Sequence, residues 1–177
     1  MIKIATCLTA GCLLSANALG GEVLPLLRSA PEKVGLEIAP VPLKYTRKNR
    51  SLVGLGSYLV NAVGACNDCH TAPPYADGGD PYAGETARVN AENYLAGGIP
   101  FGPVISPNIT PDENGLPAGL GFDEFRSVMR TGRDPDEPER LLQVMPWPAY
   151  ANLTEYDLRA IYEYLKAVPH AEPESPI

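Results

Sequence analysis

The pentapeptide Cys66-Asn-Asp-Cys-His70 constrains this chain more than any other feature of its sequence. Two residues separate the two thiols, and an imidazole follows the second thiol directly. This spacing is typical of covalent haem attachment, in which each thiol adds to one vinyl group and the adjacent imidazole binds the iron. The pattern therefore predicts one covalently attached haem c, held by Cys66, Cys69 and His70.

Other uses of this cysteine pair fit the sequence less well. A disulfide that closes so short a loop would constrain the unfolded chain little. A thioredoxin-like site needs a βαβ context, and no strand–helix alternation surrounds the motif. A zinc site needs four ligands, and the only other histidine is His170. The remaining cysteines, Cys7 and Cys12, lie in the N-terminal segment.

Residues 1–18 have the features of a signal peptide. A single lysine precedes a short apolar run from Ile4 to Leu14, and Ala16-Asn-Ala18 predicts cleavage after Ala18. The apolar run is shorter than the roughly 20 residues that a bilayer span needs. Two alternatives stay open, namely retention of the segment as an anchor and lipidation of Cys12. We therefore expect a periplasmic protein, with a membrane tether through the N-terminus left open.

After residue 18, a basic and proline-containing segment is followed by an acidic remainder. Residues 19–50 hold six basic and three acidic residues with four prolines, whereas the whole chain carries a formal net charge of −7. We expect an extended, basic arm over 19–50, a folded domain over 51–170 and a short tail over 171–177. The acidic domain excludes nucleic acid as a partner and suits docking on a basic patch of a redox partner protein.

Three residues could bind the iron opposite His70: Met129, Met145 and His170. Met129 continues a helical stripe that ends at Gly132, so we assign it to the core. His170 lies in the polar tail.

Met145 precedes two closely spaced prolines, which predict a stiff, non-helical loop. A weak thioether ligand needs such a loop to hold its sulfur against the metal. We therefore predict His70 and Met145 as the iron ligands, a pair that raises the reduction potential relative to two histidines.

The apolar pattern predicts helices and no competing strands. One helix runs from Ser51 to Ala65 into the Cys-His motif, and a long loop follows over 71–107. The last helix has Thr154 as its N-cap with Asp157 three residues on. Its apolar stripe consists of Leu158, Ile161, Tyr162 and Leu165.

Seven landmarks between Gly54 and Pro169 carry a family resemblance. They are Gly56–Leu59, Cys66–His70, Ala96–Phe101, Pro107–Asp112, Arg130–Arg133, Met145–Tyr150 and Leu153–Leu158. With them the chain resembles a class I c-type cytochrome, and more closely the monohaem cytochrome c modules that accompany periplasmic dehydrogenases. The resemblance implies an all-α class I fold, with three or more helices and long loops around one covalent haem and an N-terminal extension.

The resemblance also implies roles for single residues. Met145 would be the distal ligand, and Asn108 and Trp147 would lie near the haem edge or its propionates. Gly56 and Tyr162 would meet where the first and last helices cross. The chain departs from the family at Leu120-Gly121, where an aromatic residue and a polar N-cap are common, and in having one haem motif where relatives often have two or three.

These features indicate an electron carrier rather than an enzyme. It would accept single electrons from a dehydrogenase and pass them to an oxidase or another cytochrome. The alternative is a haem enzyme, such as a peroxidase or small-molecule oxidoreductase, or a sensor, with an open or displaceable sixth position. An enzyme or sensor would need Met145 to be absent from the iron or displaceable, whereas an electron carrier would keep it bound.

Overall fold

The computed structural model describes residues 30–173, so the predicted signal peptide, residues 19–29 of the predicted arm and residues 174–177 lie outside it. Residues 31–173 belong to one compact unit. Its helices are α1 (Pro31–Ile38), α2 (Arg50–Tyr58), α3 (Cys66–His70), α4 (Phe122–Thr131), α5 (Trp147–Tyr150) and α6 (Glu155–Ala167). A π-helical turn (Leu59–Val63) extends α2, and a 3₁₀ turn covers Pro81–Ala83. None of these helices is long and apolar enough to cross a bilayer.

The regular elements of the described chain are helices, as the sequence predicts, except for one short ribbon and a few isolated β-bridges. Strands β1 (Pro100–Phe101) and β2 (Val104–Ile105) pair antiparallel around a turn in which Gly102 has φ +64°. Two-residue strands are too short to give an alternating pattern, and for that reason the sequence predicted only a loop here.

The N-terminal arm differs from the extended chain that its prolines suggested. Residues Pro31–Ile38 form α1, which packs on α2 through two glycines. A Cβ on Gly35 would lie 1.9 Å from the carbonyl oxygen of Gly54. Ser57 of α2 also donates a hydrogen bond of 2.6 Å to the Gly35 carbonyl. An isolated eight-residue helix is marginal in water, so this tertiary contact stabilises it.

Helices α2 and α6 cross at Gly56, but the aromatic partner is not the predicted one. A Cβ on Gly56 would lie 1.9 Å from the carbonyl oxygen of Ala160 and 2.6 Å from the Cβ of Tyr164. Tyr162 points elsewhere, since its ring packs at 5.4 Å from that of Phe122 and its hydroxyl donates to the Leu120 carbonyl. Residues two apart on a helix point in different directions, which explains the error.

The predicted last helix is confirmed in its cap and its buried face. Thr154 accepts a hydrogen bond of 3.0 Å from the backbone N–H of Asp157, whose carboxylate accepts one from the Thr154 N–H. The four apolar positions of the predicted stripe are all buried. Helix α4 likewise ends at Gly132, which has φ +64°. The two helices therefore follow directly from local sequence signals.

A buried polar network joins the end of α2 to α6. Asn61 lies on the π-helical turn and donates to the hydroxyl of Tyr164 at 3.1 Å. The side-chain oxygen of Asn61 accepts a hydrogen bond of 2.5 Å from the hydroxyl of Tyr94, and the hydroxyls of Tyr94 and Tyr164 lie 2.9 Å apart. Buried hydroxyls and amides need such partners, so the network fixes the geometry of the helix that leads into α3.

Candidate haem-attachment site

The two thiols of the motif lie one helical turn apart on α3. Ala65, with φ +47°, breaks the chain direction immediately before Cys66, and the helix then places positions three apart on the same face. Neither thiol is bonded to another sulfur. Burial raises the pKa of the Cys66 thiol to about 12, with a smaller contribution from the neighbouring Cys69. Burial likewise raises the pKa of the Cys69 thiol, so both thiols are protonated at neutral pH.

His70 is held in a single tautomer by the backbone. Its Nδ1 lies 2.9 Å from the carbonyl oxygen of Pro107. A carbonyl can only accept, so Nδ1 carries the proton and Nε2 keeps its lone pair. Burial lowers the pKa of His70 despite the opposing hydrogen bond to Pro107, which favours the neutral ring that binds metals. The carbonyl of His70 also accepts a hydrogen bond of 2.7 Å from Gly97, so both ends of the residue are fixed.

The segment that carries Met145 is joined to the start of the motif. Tyr150 donates a hydrogen bond of 3.1 Å to the carbonyl of Gly64, two residues before Cys66. Burial, followed by the nearby Cys66 and Cys69, raises the pKa of Tyr150 to about 12. The ring therefore lies beside the thiols and ties the loop of Met145 to the motif.

Met145 stands in irregular chain, as predicted, but the two prolines do not prevent a helix. One helical turn, α5, begins directly after Pro146. Pro148 occupies its first turn, where a missing backbone N–H costs nothing. The side chain of Met145 is half-buried against the core.

The other two candidate ligands are engaged elsewhere. Met129 is 5% exposed and belongs to the hydrophobic core, which confirms its assignment. His170 uses both ring nitrogens, since Nδ1 lies 2.8 Å from the Pro111 carbonyl and Nε2 lies 2.8 Å from a carboxylate oxygen of Glu172.

The surroundings of the motif fit a large apolar group. Val63 precedes the motif, Ile105 lies near Pro107 and Val144 adjoins Met145, and their exposures are 60%, 66% and 45%. Two hydrogen bonds join the segments of Ile105 and Val144 to the motif region, one between His70 and the Pro107 carbonyl and one between Tyr150 and the Gly64 carbonyl. Two free thiols and a neutral imidazole form a donor set that suits haem c, and exposed apolar side chains lie on the segments joined to it.

Asn108 and Trp147 are both engaged in hydrogen bonds within the protein. The Asn108 amide donates to the Ala171 carbonyl at 2.8 Å. The Trp147 indole donates to the Leu142 carbonyl at 3.2 Å, and its ring fills the space above Gly132. Their predicted closeness to the haem edge or its propionates stays a prediction.

Sequence reasoning missed the roles of Pro107, Tyr150 and Asn61. The first two lie in segments that the family resemblance had marked, yet a backbone carbonyl has no residue signature. The third forms its hydrogen bonds with residues 33 and 103 positions away, Tyr94 and Tyr164. Contacts of this kind leave no local pattern in the sequence.

Comparison with known proteins finds similarity to dehydrogenase subunits. The gluconate 2-dehydrogenase cytochrome c subunit of Pantoea cypripedii is 34% identical over 116 residues, which cover 66% of this chain and 23% of the relative. The cytochrome c subunit of the quinone alcohol dehydrogenase of Gluconobacter oxydans is 36% identical over 127 residues, which cover 69% of this chain and 25% of the relative. These relatives support a cytochrome c module in this chain.

The similarity has a limited extent. The fructose dehydrogenase cytochrome subunit of Gluconobacter japonicus is 30% identical over 121 residues, which cover 66% of this chain and 21% of the relative. The cytochrome c module thus spans about a quarter or less of each of these relatives. No protein-family model matches the chain, and no solved structure matches it significantly.

Proposed function

We propose that this protein is a periplasmic monohaem c-type cytochrome of the class I fold, which moves single electrons between a dehydrogenase and a downstream acceptor. One observation carries the proposal. Two free thiols lie one helical turn apart beside His70, whose Nδ1 is held by the Pro107 carbonyl so that Nε2 is free to bind iron. A zinc site needs a cluster of three or more protein ligands, and residues 30–173 form none. A thiol-redox site would lower the pKa of its reactive cysteine, whereas burial raises the pKa of Cys66.

Each of the proposed site residues has a distinct role. Cys66 and Cys69 would anchor the group covalently, His70 would bind the iron through Nε2, and Met145 would supply its sulfur as a second ligand. When bound, the haem supplies the one-electron chemistry of its iron. The protein contributes rigid ligation and an apolar, water-excluding lining, and no side chain has to move a proton.

The relatives favour a dehydrogenase as the electron donor. Three of them are named as cytochrome subunits of gluconate, alcohol and fructose dehydrogenases. Such names agree with an electron carrier without a catalytic role of its own. The acceptor would be an oxidase or another cytochrome.

Docking would use the chain's excess of negative charge, part of which lies within the motif. The carboxylate of Asp68 lies between Cys66 and Cys69 in the chain and accepts hydrogen bonds from Tyr75 and Tyr82 at 2.9 and 3.3 Å. Complementary charge on a partner would raise the rate of encounter. Export through the signal peptide of residues 1–18 would place the protein in the compartment of such dehydrogenases, with or without a tether at the N-terminus.

The decisive experiment is the absorption spectrum of the exported, haem-loaded protein in both redox states, extended into the near infrared. We expect covalent haem and a methionine-to-iron charge-transfer band in the ferric protein. Met145→Ala should abolish the band. Met129→Leu is the matched control, because Met129 lies in the core and its loss should leave the band in place.

Other spectra would overturn parts of the proposal. Retention of covalently attached haem in the double variant Cys66→Ala/Cys69→Ala would contradict the anchor. A high-spin ferric spectrum, or ready uptake of carbon monoxide by the ferrous protein, would mean an open iron and would favour the haem enzyme or sensor.

A further inference from the structure

The chain after α6 runs back across the loop that contains Pro107. We call residues 169–173 the C-terminal strap. Asn93 donates a hydrogen bond of 2.9 Å to the carbonyl of Glu172, and Asn108 donates one of 2.8 Å to the carbonyl of Ala171. The N–H of Ala171 in turn donates to the hydroxyl of Thr110 at 3.3 Å. The strap is thus attached to this loop at several points.

Asn108 links the strap to the residue that holds His70. It follows Pro107 directly in the chain. Its side-chain oxygen accepts hydrogen bonds from the N–H and the hydroxyl of Thr110, at 2.9 and 2.7 Å, while its amide nitrogen reaches Ala171. One side chain therefore fixes the local turn and fastens it to the strap.

The opposite side of the Pro107 peptide is closed by Gly97. This glycine has φ +79°, and a Cβ on it would lie 2.5 Å from the carbonyl carbon of Pro107. Its N–H donates to the carbonyl of His70 at 2.7 Å. The peptide that accepts the Nδ1 proton of His70 consequently lies between Gly97 and the turn that Asn108 holds.

We propose that Asn108 is a positioning residue that couples the C-terminal strap to the Pro107 carbonyl, and thereby sets the hydrogen bond on His70 and the reduction potential of the site. The inference rests on the proposed function, in which Nε2 of His70 binds the iron. A hydrogen bond at Nδ1 makes an imidazole ligand more basic, which favours the ferric state. Release of the strap would lengthen that bond and stabilise the ferrous state.

Two chain lengths test the coupling with a matched control. Ending the protein after Pro169 removes the strap residues that contact the loop, whereas ending it after Pro173 removes only residues 174–177 and keeps every described strap contact. We expect the first truncation to favour reduction by about threefold at a fixed potential, equal to about +30 mV for one electron. The second truncation should leave the potential unchanged.

Asn108→Ala supplies an independent variant if the short chain does not fold. We expect it to shift the potential in the same direction, and the shifts of Asn108→Ala and the strap deletion to be less than additive, because both act through one contact. Thr154→Ala is the control for stability, since it weakens the N-cap of α6 without touching the strap. A role in stability alone would give the same potential shift in Thr154→Ala.

The exchange rate of the His70 Nδ1 proton measures the hydrogen bond directly, by NMR of the reduced protein. We expect exchange to become about tenfold faster in Asn108→Ala and in the strap deletion, with no change in the chain that ends after Pro173. Unchanged exchange and potential in a protein with covalent haem and an intact His70 ligand would overturn the coupling. Absence of covalent haem or of His70 ligation in the parent protein would instead overturn the proposed function.

Discussion

Replacement of Gly56 by alanine should destabilise the protein through the crossing of α2 and α6. The added Cβ would lie 1.9 Å from the carbonyl oxygen of Ala160, whereas ordinary contact begins at 3.4 Å. The obstructing atoms are backbone, so no side-chain rotation can relieve the overlap. The two helices would have to separate by about 1.5 Å in a region that is packed as densely as a crystal.

The size of the effect follows from two opposing contributions. Overpacking a core costs about 1–3 kcal/mol, and a backbone obstruction belongs at the upper end. Alanine is more favourable than glycine in a helix by about 1 kcal/mol. We therefore expect Gly56→Ala to lower the free energy of unfolding by about 2 kcal/mol. For a domain of this size the midpoint of thermal unfolding should fall by about 4–8 °C.

Urea unfolding of the haem-loaded protein, followed by far-ultraviolet circular dichroism, measures this change. Ser51→Ala is the control, because Ser51 is exposed on the first turn of α2 and its replacement should alter the unfolding free energy by no more than about 0.5 kcal/mol. If Gly56→Ala were as stable as the parent protein, the close contact between the two helices would be refuted.

Two further predictions concern pH. Burial raises the pKa of Asp134. Hydrogen bonds from two backbone N–H groups and the charge of Arg140 lower it by more than burial raises it, so the pKa lies below the usual range for an aspartate. The ionised carboxylate therefore stabilises the fold above the pKa that Asp134 has in the unfolded chain, and this effect is lost as the pH falls through its pKa in the folded protein. Asp134→Asn should lower the free energy of unfolding by about 1 kcal/mol at neutral pH, and by less in unfolding titrations at acid pH. The hydrogen bond to Glu172, and to a smaller extent the one to the Pro111 carbonyl, raise the pKa of His170. The His170–Glu172 pair therefore stabilises the protein below the pKa of histidine in the unfolded chain, and this effect is lost as the pH rises through the pKa of His170 in the folded protein. A small destabilisation by Glu172→Gln should therefore appear in mildly acidic urea titrations and vanish in alkaline ones, and a loss that is equal at both pH values would contradict the pairing.

Local signals determined the elements that carry their own start and stop residues. Thr154 and Asp157 cap α6, and Gly132 ends α4 in the left-handed conformation. The spacing of the Cys66–His70 motif likewise predicts haem attachment without reference to the distant chain, because two thiols and an imidazole within five residues leave few other uses. These predictions needed no knowledge of the distant chain.

Contacts between distant residues decided the remainder. Helix α1 forms because Gly35 meets Gly54, and Tyr164 rather than Tyr162 lies at the crossing because of the rotation of α6. The hydrogen bond from His70 to the Pro107 carbonyl joins residues 37 positions apart. Backbone carbonyls and glycine contacts have no side-chain pattern, so the sequence can propose His70 as a ligand, while only the folded chain shows what holds its ring in place.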